Sequence, residues 1–291
     1  MRLALLFNKT RPDTTGVYFE RALGTLGVQA DHWALRDVER VPEGYDAYLR
    51  IDYGDDYELA WPARLRPSIF YAIDTHLSRS WAKIRRMAGD YDAVFCCHRK
   101  ASVSLPGARW LPVACDPQLH VAPPTARTLD MAFVGTDGGV PRKFYLQALR
   151  ERYPNSAIGP ADFRQMAALY GRAKIGFNYS IADDVNMRMF EVLAGGALLV
   201  TNALTGDDLA RLDLSDRRDL VLYRRPEDLF PLIDYYLAHP QERETIARQG
   251  QQLALARHTY RHRMQELLAV LEYRPKLARV HPLGEPLTCG S

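Results

Sequence analysis

Short apolar runs alternate with amphipathic stretches along most of the chain. Residues 2–7 (RLALLF) predict a first strand and residues 8–15 a polar loop. Residues 16–26 predict a helix, with Val17, Phe19, Leu23 and Leu26 recurring near helical spacing and Gly27 supplying the stop. Further apolar runs at residues 46–51, 68–73, 91–97 and 109–114 read as strands, separated by helical stretches such as 78–88. Strands that alternate with helices predict a parallel sheet covered on both faces.

Around residues 116–128 the pattern breaks. Pro117, Pro123 and Pro124 stand in a stretch without periodicity, through which neither a helix nor a central strand can continue, and it marks a domain boundary. The alternation then restarts, with strands predicted at 129–134, 155–159, 174–178, 197–201 and 219–223. Helices are predicted at 142–152, 162–172 and 186–194, and others follow to about residue 272. The expected organisation is a Rossmann-like domain at 1–120, a second at 121–275 and a tail at 276–291.

Composition excludes several classes. With 291 residues, 47% hydrophobic and 25% charged, the chain has enough apolar mass for sizeable cores and is not a disordered segment. No apolar run reaches the roughly 20 residues of a membrane helix, and the start lacks the small-residue cleavage site of a signal peptide, so a cytoplasmic protein is expected. Four cysteines without a CxxC spacing predict neither a disulfide framework nor a zinc site, and Cys96 and Cys97 suit buried free thiols. A net charge of +3 is too small to announce nucleic acid but fits an anionic small ligand.

Ligands of open parallel sheets bind beyond the carboxyl ends of the strands, so the loops there are searched first. In VGTDGGVPRKF, Gly135, Gly138 and Gly139 let backbone N–H groups approach an anion, and Arg142 and Lys143 add charge at a helix start. A glycine turn before a solvated basic helix is the plainer alternative. In FNYSIADDVNMRMFEV, Asn178, Tyr179 and Ser180 end a strand, and Asn186 or Asp184 can cap the next helix. Arg188 and Glu191 share one face of that helix; they suit a diphosphate and ribose hydroxyls, or else form an ordinary surface ion pair.

The string NMRMFEVLAGGALLVTN, with FNYS before it and YYLAHPQERETIARQGQQLALARHTYRHRM after it, resembles the spore-maturation-protein CgeB-like glycosyltransferases, a glycosyltransferase family 1/4-like group. AIDTHLSRSW, LPVACDPQLH and DMAFVGT extend the resemblance from about Ile69 to Met264. The resemblance implies a GT-B architecture, an α/β fold of two Rossmann-like domains whose parallel sheets face an interdomain cleft. It implies a hexosyltransferase-like enzyme that moves a sugar from a nucleotide diphosphate donor, a UDP-sugar, to an acceptor hydroxyl. The donor is a co-substrate, and neither a further cofactor nor a metal is implied.

By the same resemblance Gly135, Thr136, Arg142, Asn178, Asn186 and Arg188 line the donor site, with Lys143, Tyr179 and Ser180 beside them. An acidic pair with seven residues between its members meets the sugar and the ribose; here it is Asp183 and Glu191, and the aspartate is a departure from the family's pattern. The N-terminal domain should hold the acceptor and the catalytic base. His76, oriented by Asp74 after the strand SIFYAI, is the first candidate, and the alternative is that Asp74 caps a helix while His76 packs beside Trp81. His98 and His120 are rivals. Thr14, Thr15 and Gly16 open a helix toward a phosphate or the acceptor, or simply cap it. Asp52, Asp55 and Asp56 are read as a solvated turn and not as a metal site.

The basic run Arg257, His258, Arg261, His262, Arg263, Arg274, Lys276 and Arg279 reads as a solvated face, with a hinge role, which the resemblance suggests, and contact with a phosphate-rich acceptor such as DNA as the alternatives. The acceptor is left open: a glycan, a protein, a small molecule or a hydroxymethylated base in DNA. A two-domain ligand-binding protein and a non-catalytic assembly factor are the rival classes.

Overall fold

The apolar runs pair into two separate parallel sheets. The computed structural model describes residues 1–52 and 59–272, so Asp55, Asp56, Tyr273, Arg274, Lys276, Arg279 and the tail at 276–291 lie outside the described residues, while Asp52 is not solvated but buried, in an ion pair with Lys83 (2.8 Å). The chain divides into two units, one formed by Met1–Pro112 with the segment from Arg263, the other by Val113–His262.

In the first unit the elements are β1 (Arg2–Leu6), α1 (Thr15–Thr25), β2 (Gln29–Trp33), β3 (Ala47–Ile51), β4 (Ser68–Ala72), α2 (Ser78–Met87), β5 (Ala93–Cys96), α3 (Arg99–Ser104) and β6 (Arg109–Trp110). The sheet order is β2-β1-β3-β4-β5-β6, and every neighbouring pair is parallel. Every residue of β3, β4 and β5 is buried, which is why they read as continuous apolar runs. Strand β2 (QADHW) has no such run because it is a half-buried edge strand, and the sequence pattern misses it. The predicted strand at 109–114 is cut to two residues, since Pro112 has no N–H for a ladder. Cys96 and Cys97 are buried free thiols, and burial pushes the Cys96 thiol up to about 12.

The second unit contains α4 (Pro117–His120), β7 (Leu129–Val134), α5 (Arg142–Arg152), β8 (Ser156–Gly159), α6 (Phe163–Arg172), β9 (Ala173–Phe177), α7 (Met187–Gly195), β10 (Leu198–Asn202), α8 (Asp208–Arg211), β11 (Val221–Tyr223), α9 (Leu229–Ala238) and α10 (Pro240–Arg257). Its sheet runs β11-β10-β9-β7-β8, again parallel. Met131, Phe133, Ile175, Phe177, Val200 and Tyr223 form one face of the core beneath α5 and α9 residues such as Leu146 and Ile233. Helix α7 is buried from Met189 through Gly195 and is held at close quarters. A Cβ on Gly176 of β9 would overlap Val192, and one on Gly250 of α10 would fall on the Asp219 carbonyl and 2.7 Å from a Leu193 methyl.

Helix α11 (Tyr260–Glu272) closes the described chain. The basic run before and within it is not a uniformly solvated face. His258 is buried with Nε2 on the Leu212 carbonyl (2.8 Å), and Arg263 is buried with Nε donating to the Pro112 carbonyl (2.8 Å). Among the described residues no helix is long and apolar enough to cross a membrane.

Candidate functional site

In the second unit the side chains gather at the carboxyl end of the sheet. Val134 ends β7, and the loop that follows carries Gly135, Gly138 and Gly139 at positive φ (142°, 65° and 84°) before α5 begins at Arg142. Two of these glycines make room for cations. A Cβ on Gly135 would lie 2.5 Å from Nη2 of Arg188, and a Cβ on Gly138 would overlap Nη2 of Arg142.

The two guanidiniums share Phe133 as a floor, Arg188 at 4.3 Å from the ring centroid and Arg142 at 5.8 Å. Arg188 donates Nε–H to the Val134 carbonyl (3.0 Å) and Nη1–H to Asn178 Oδ1 (3.3 Å). Arg142 donates to the carbonyls of Asp137 (2.9 Å) and Thr136 (3.2 Å), while the Asp137 carboxylate turns to Arg150 (3.3 Å). Among the described residues neither arginine reaches a carboxylate in an ion pair. Burial first, and then the Arg188 charge, push the Arg142 guanidinium below its ordinary value. Two half-buried cations with no carboxylate in ion-pair contact, the Asp137 charge opposing the shift of Arg142 only from a distance, stand beside an exposed Lys143 and suit an anion carrying more than one negative charge.

Around them the polar groups are fixed from behind. Asn178, fully buried after β9, donates Nδ2–H to Thr201 Oγ1 (3.0 Å), which sets its Oδ1 toward Arg188. The Ser180 N–H donates to Asn202 Oδ1 (2.7 Å), and its hydroxyl donates to the Asp184 carboxylate (2.5 Å). Tyr179 stacks on Tyr145 of α5 at 5.1 Å. Asp184 is therefore not the cap of α7. Asn186 stands at the N-cap position without a capping bond, and its buried Oδ1 has no partner. Asp183, exposed and at φ 55°, accepts from the N–H (2.9 Å) and the hydroxyl of Thr205. Glu191 is buried one turn beyond Arg188 on α7.

Phe133, Thr201, Asn202 and Tyr170 escape sequence reasoning. The Tyr170 hydroxyl, fully buried, accepts the Val134 N–H (3.1 Å) and so holds the end of β7 that Arg188 grips through its carbonyl. No local pattern distinguishes Phe133 or Tyr170 from core aromatics; only the TN ending β10 carried a polar signal.

In the first unit Asp74, Thr75 and His76 follow β4, and Asp74 has φ 51°. His76 is exposed, and its ring meets that of His98 edge-on at 5.2 Å. His98 follows β5, and its Nδ1 hydrogen-bonds the buried Thr75 hydroxyl (2.7 Å). The sequence's rival histidine is thus brought beside its first candidate. His120 belongs to the second unit, where its Nδ1 accepts the Asp116 N–H (3.0 Å) and closes α4.

Residues 123–269, just over half of the chain, match the glycosyl transferase-like family. Comparison with curated protein sequences found no match. Among solved structures, Anabaena HepE in complex with UDP-glucose has a TM-score of 0.64 at 11% identity, covering 94% of this chain and 100% of that one. Sucrose-phosphate synthase from Thermosynechococcus elongatus has a TM-score of 0.60 at 13% identity, covering 94% and 99%. An alpha-glucosyltransferase in complex with UDP-glucose and DNA containing an abasic site has a TM-score of 0.66 at 10% identity, covering 94% and 99%. At such identities the likeness is one of fold, and the fold is GT-B.

Proposed function

Because the chain belongs to the glycosyl transferase-like family and has the GT-B fold, we propose that it is a hexosyltransferase that uses a UDP-sugar. The observation that carries this reading is the pair of guanidiniums over Phe133 without a carboxylate partner. As the glycosidic bond breaks, negative charge grows on the departing diphosphate. Arg142, Arg188 and Lys143 oppose that charge, so leaving-group stabilisation comes from fixed cations and needs no divalent metal. Gly135 and Thr136 give the diphosphate close approach to backbone, Asn178 aims Arg188, and the unpartnered Oδ1 of Asn186 is an acceptor for a hydroxyl of the donor. Glu191 takes the ribose hydroxyls, with Tyr179 and Ser180 lining the site; Asp183, turned to Thr205, has to release it to touch the sugar.

The acceptor side is the first unit, expected at residues 1–120 and bounded at Pro112 by the compact units, and the donor side is the second, expected at 121–275 and ending at His262. His76, with Asp74 beside it, takes the proton from the acceptor hydroxyl, and Thr75 sets the ring of neighbouring His98. Membership of the CgeB-like group and a cytoplasmic location, where nucleotide sugars are at hand, go with this reading. The test is a thermal-shift panel of nucleotide diphosphates and their sugar conjugates with and without magnesium. A rise in Tm with UDP in the presence of EDTA is expected, and no response to any nucleotide diphosphate sinks the donor site. A hydroxymethylated DNA base is a second acceptor reading, favoured by the likeness to the glucosyltransferase solved with DNA. Salt-sensitive retention on such DNA is its test.

A further inference from the structure

The start of α1 is a buried helix end whose donors are unused. Its first closed turn is the Tyr18 N–H to the Thr14 carbonyl (3.1 Å), and among the described residues the N–H groups of Thr15, Gly16 and Val17 have no hydrogen-bond partner. All three residues are buried, as is Thr14 at 4% exposure. Thr14 occupies the N-cap position in extended conformation (φ −96°, ψ 155°). A threonine there ordinarily returns its oxygen to the second or third N–H. This one does not, and its Oγ1 is left without any partner.

Neither Gly16 nor the loop's charge accounts for the open donors. Gly16 is explained by packing, because a Cβ would overlap the Phe7 ring beneath it. No acidic residue stands in the first turn to answer the helix dipole. Lys9 is paired with Glu20 (2.7 Å) and Arg11 with Asp13 (3.4 Å), and both cations lie in the exposed part of the loop that leads to the helix. Three N–H groups of one helix turn and an unpartnered hydroxyl beside them, at a positive helix end, have the donor chemistry an oxyanion needs.

We propose that this end of α1 is a second oxyanion site, which takes a phosphate or carboxylate group carried by the acceptor. The assignment to the acceptor rests on the donor reading above, in which Arg142 and Arg188 of the other unit already answer the diphosphate. An acceptor with an acidic group is then held by that group while its hydroxyl is presented for transfer. An uncharged acceptor leaves the four donors unanswered and binds more weakly.

The test uses the full chain labelled with 15N-glycine and titrated with inorganic phosphate, with the Gly16 amide as reporter, alone and with saturating UDP. The expected result is a saturable Gly16 shift that survives UDP and weakens about tenfold or more in Thr14→Val, the loss of one hydrogen bond to a charged group. Thr14→Ser keeps the hydroxyl and should keep the shift; it stands in if the valine variant fails to fold. No shift at Gly16 overturns the proposal, since water alone then fills the site. A shift that UDP abolishes also overturns it, because the site then serves the donor's own diphosphate. Calorimetry of UDP on the same sample separates the two readings: absent UDP binding fails the donor assignment, and the phosphate shift still decides whether an oxyanion site exists.

Discussion

Replacing Arg188 with methionine keeps an apolar stem over Phe133 and removes the charge. A guanidinium has five N–H donors. Two are committed, one to the Val134 carbonyl and one to Asn178 Oδ1, so three remain for a ligand. A hydrogen bond to a charged group contributes about 1.5–3 kcal/mol, which predicts a loss of roughly 10- to 150-fold in UDP affinity. The fold also loses the donors to the Val134 carbonyl and to the buried Asn178 Oδ1, at about 1–3 kcal/mol for each acceptor left unsatisfied, so denaturant unfolding is measured beside binding and only folded protein is compared. Isothermal titration of UDP and of uridine into both proteins is the assay. Uridine has no phosphate, so its affinity should be the same in both, and the loss should be confined to UDP. UDP affinity within twofold of the unsubstituted protein, or an equal loss for uridine, refutes the anion-site reasoning.

Three further outcomes are expected. Gly250→Ala drives a methyl onto the Asp219 carbonyl and should cost about 2 kcal/mol, a fall of roughly 4–8 °C in Tm; an unchanged Tm refutes the close approach of α10. Tyr170→Phe orphans the buried Val134 N–H and should cost about 1–3 kcal/mol while weakening UDP; denaturant unfolding and calorimetry read the two effects. The hydroxyl of Tyr45 (2.8 Å) and the guanidinium of Arg2 hold the Asp31 carboxyl below its ordinary 3.8. A folded-state value below the unfolded one stabilises above about pH 4 and is lost as pH falls through the folded value. Asp31→Asn should therefore lower Tm at pH 7, and the gap should close toward pH 2; a gap independent of pH contradicts the assignment.

Runs buried on both faces, such as those of β3 and β4, were plain in the sequence because nothing polar interrupts them except Arg50 and the ends. Strand β2 was not, since an edge strand that shows one side to water can be built from Gln29, Asp31 and His32. The cations of the candidate site were legible as charges, but their lack of counter-ions was not. Whether Asp137 answers Arg142 or Arg150 depends on a loop conformation that three glycines at positive φ create. Capping shows the same limit. Asn186 and Asp184 both have the right chemistry for α7, and a bond from the Ser180 hydroxyl decides that the aspartate does not perform it. Arg263 and His258 looked like part of a solvated stripe, yet distant carbonyls, at Pro112 and Leu212, draw them in.

The first unit is discontinuous in sequence, since the segment from Arg263 belongs with Met1–Pro112. That sets an order of events on the ribosome. The stretch Val113–His262 is continuous and has all its strands before α11 is complete, so it can acquire its structure while synthesis is still under way. The first unit begins earlier but lacks the segment from Arg263 until after the second unit has been made. The first unit thus starts before the second and is completed after it, and a nascent chain stopped near residue 262 already has the sheet that carries Arg142 and Arg188.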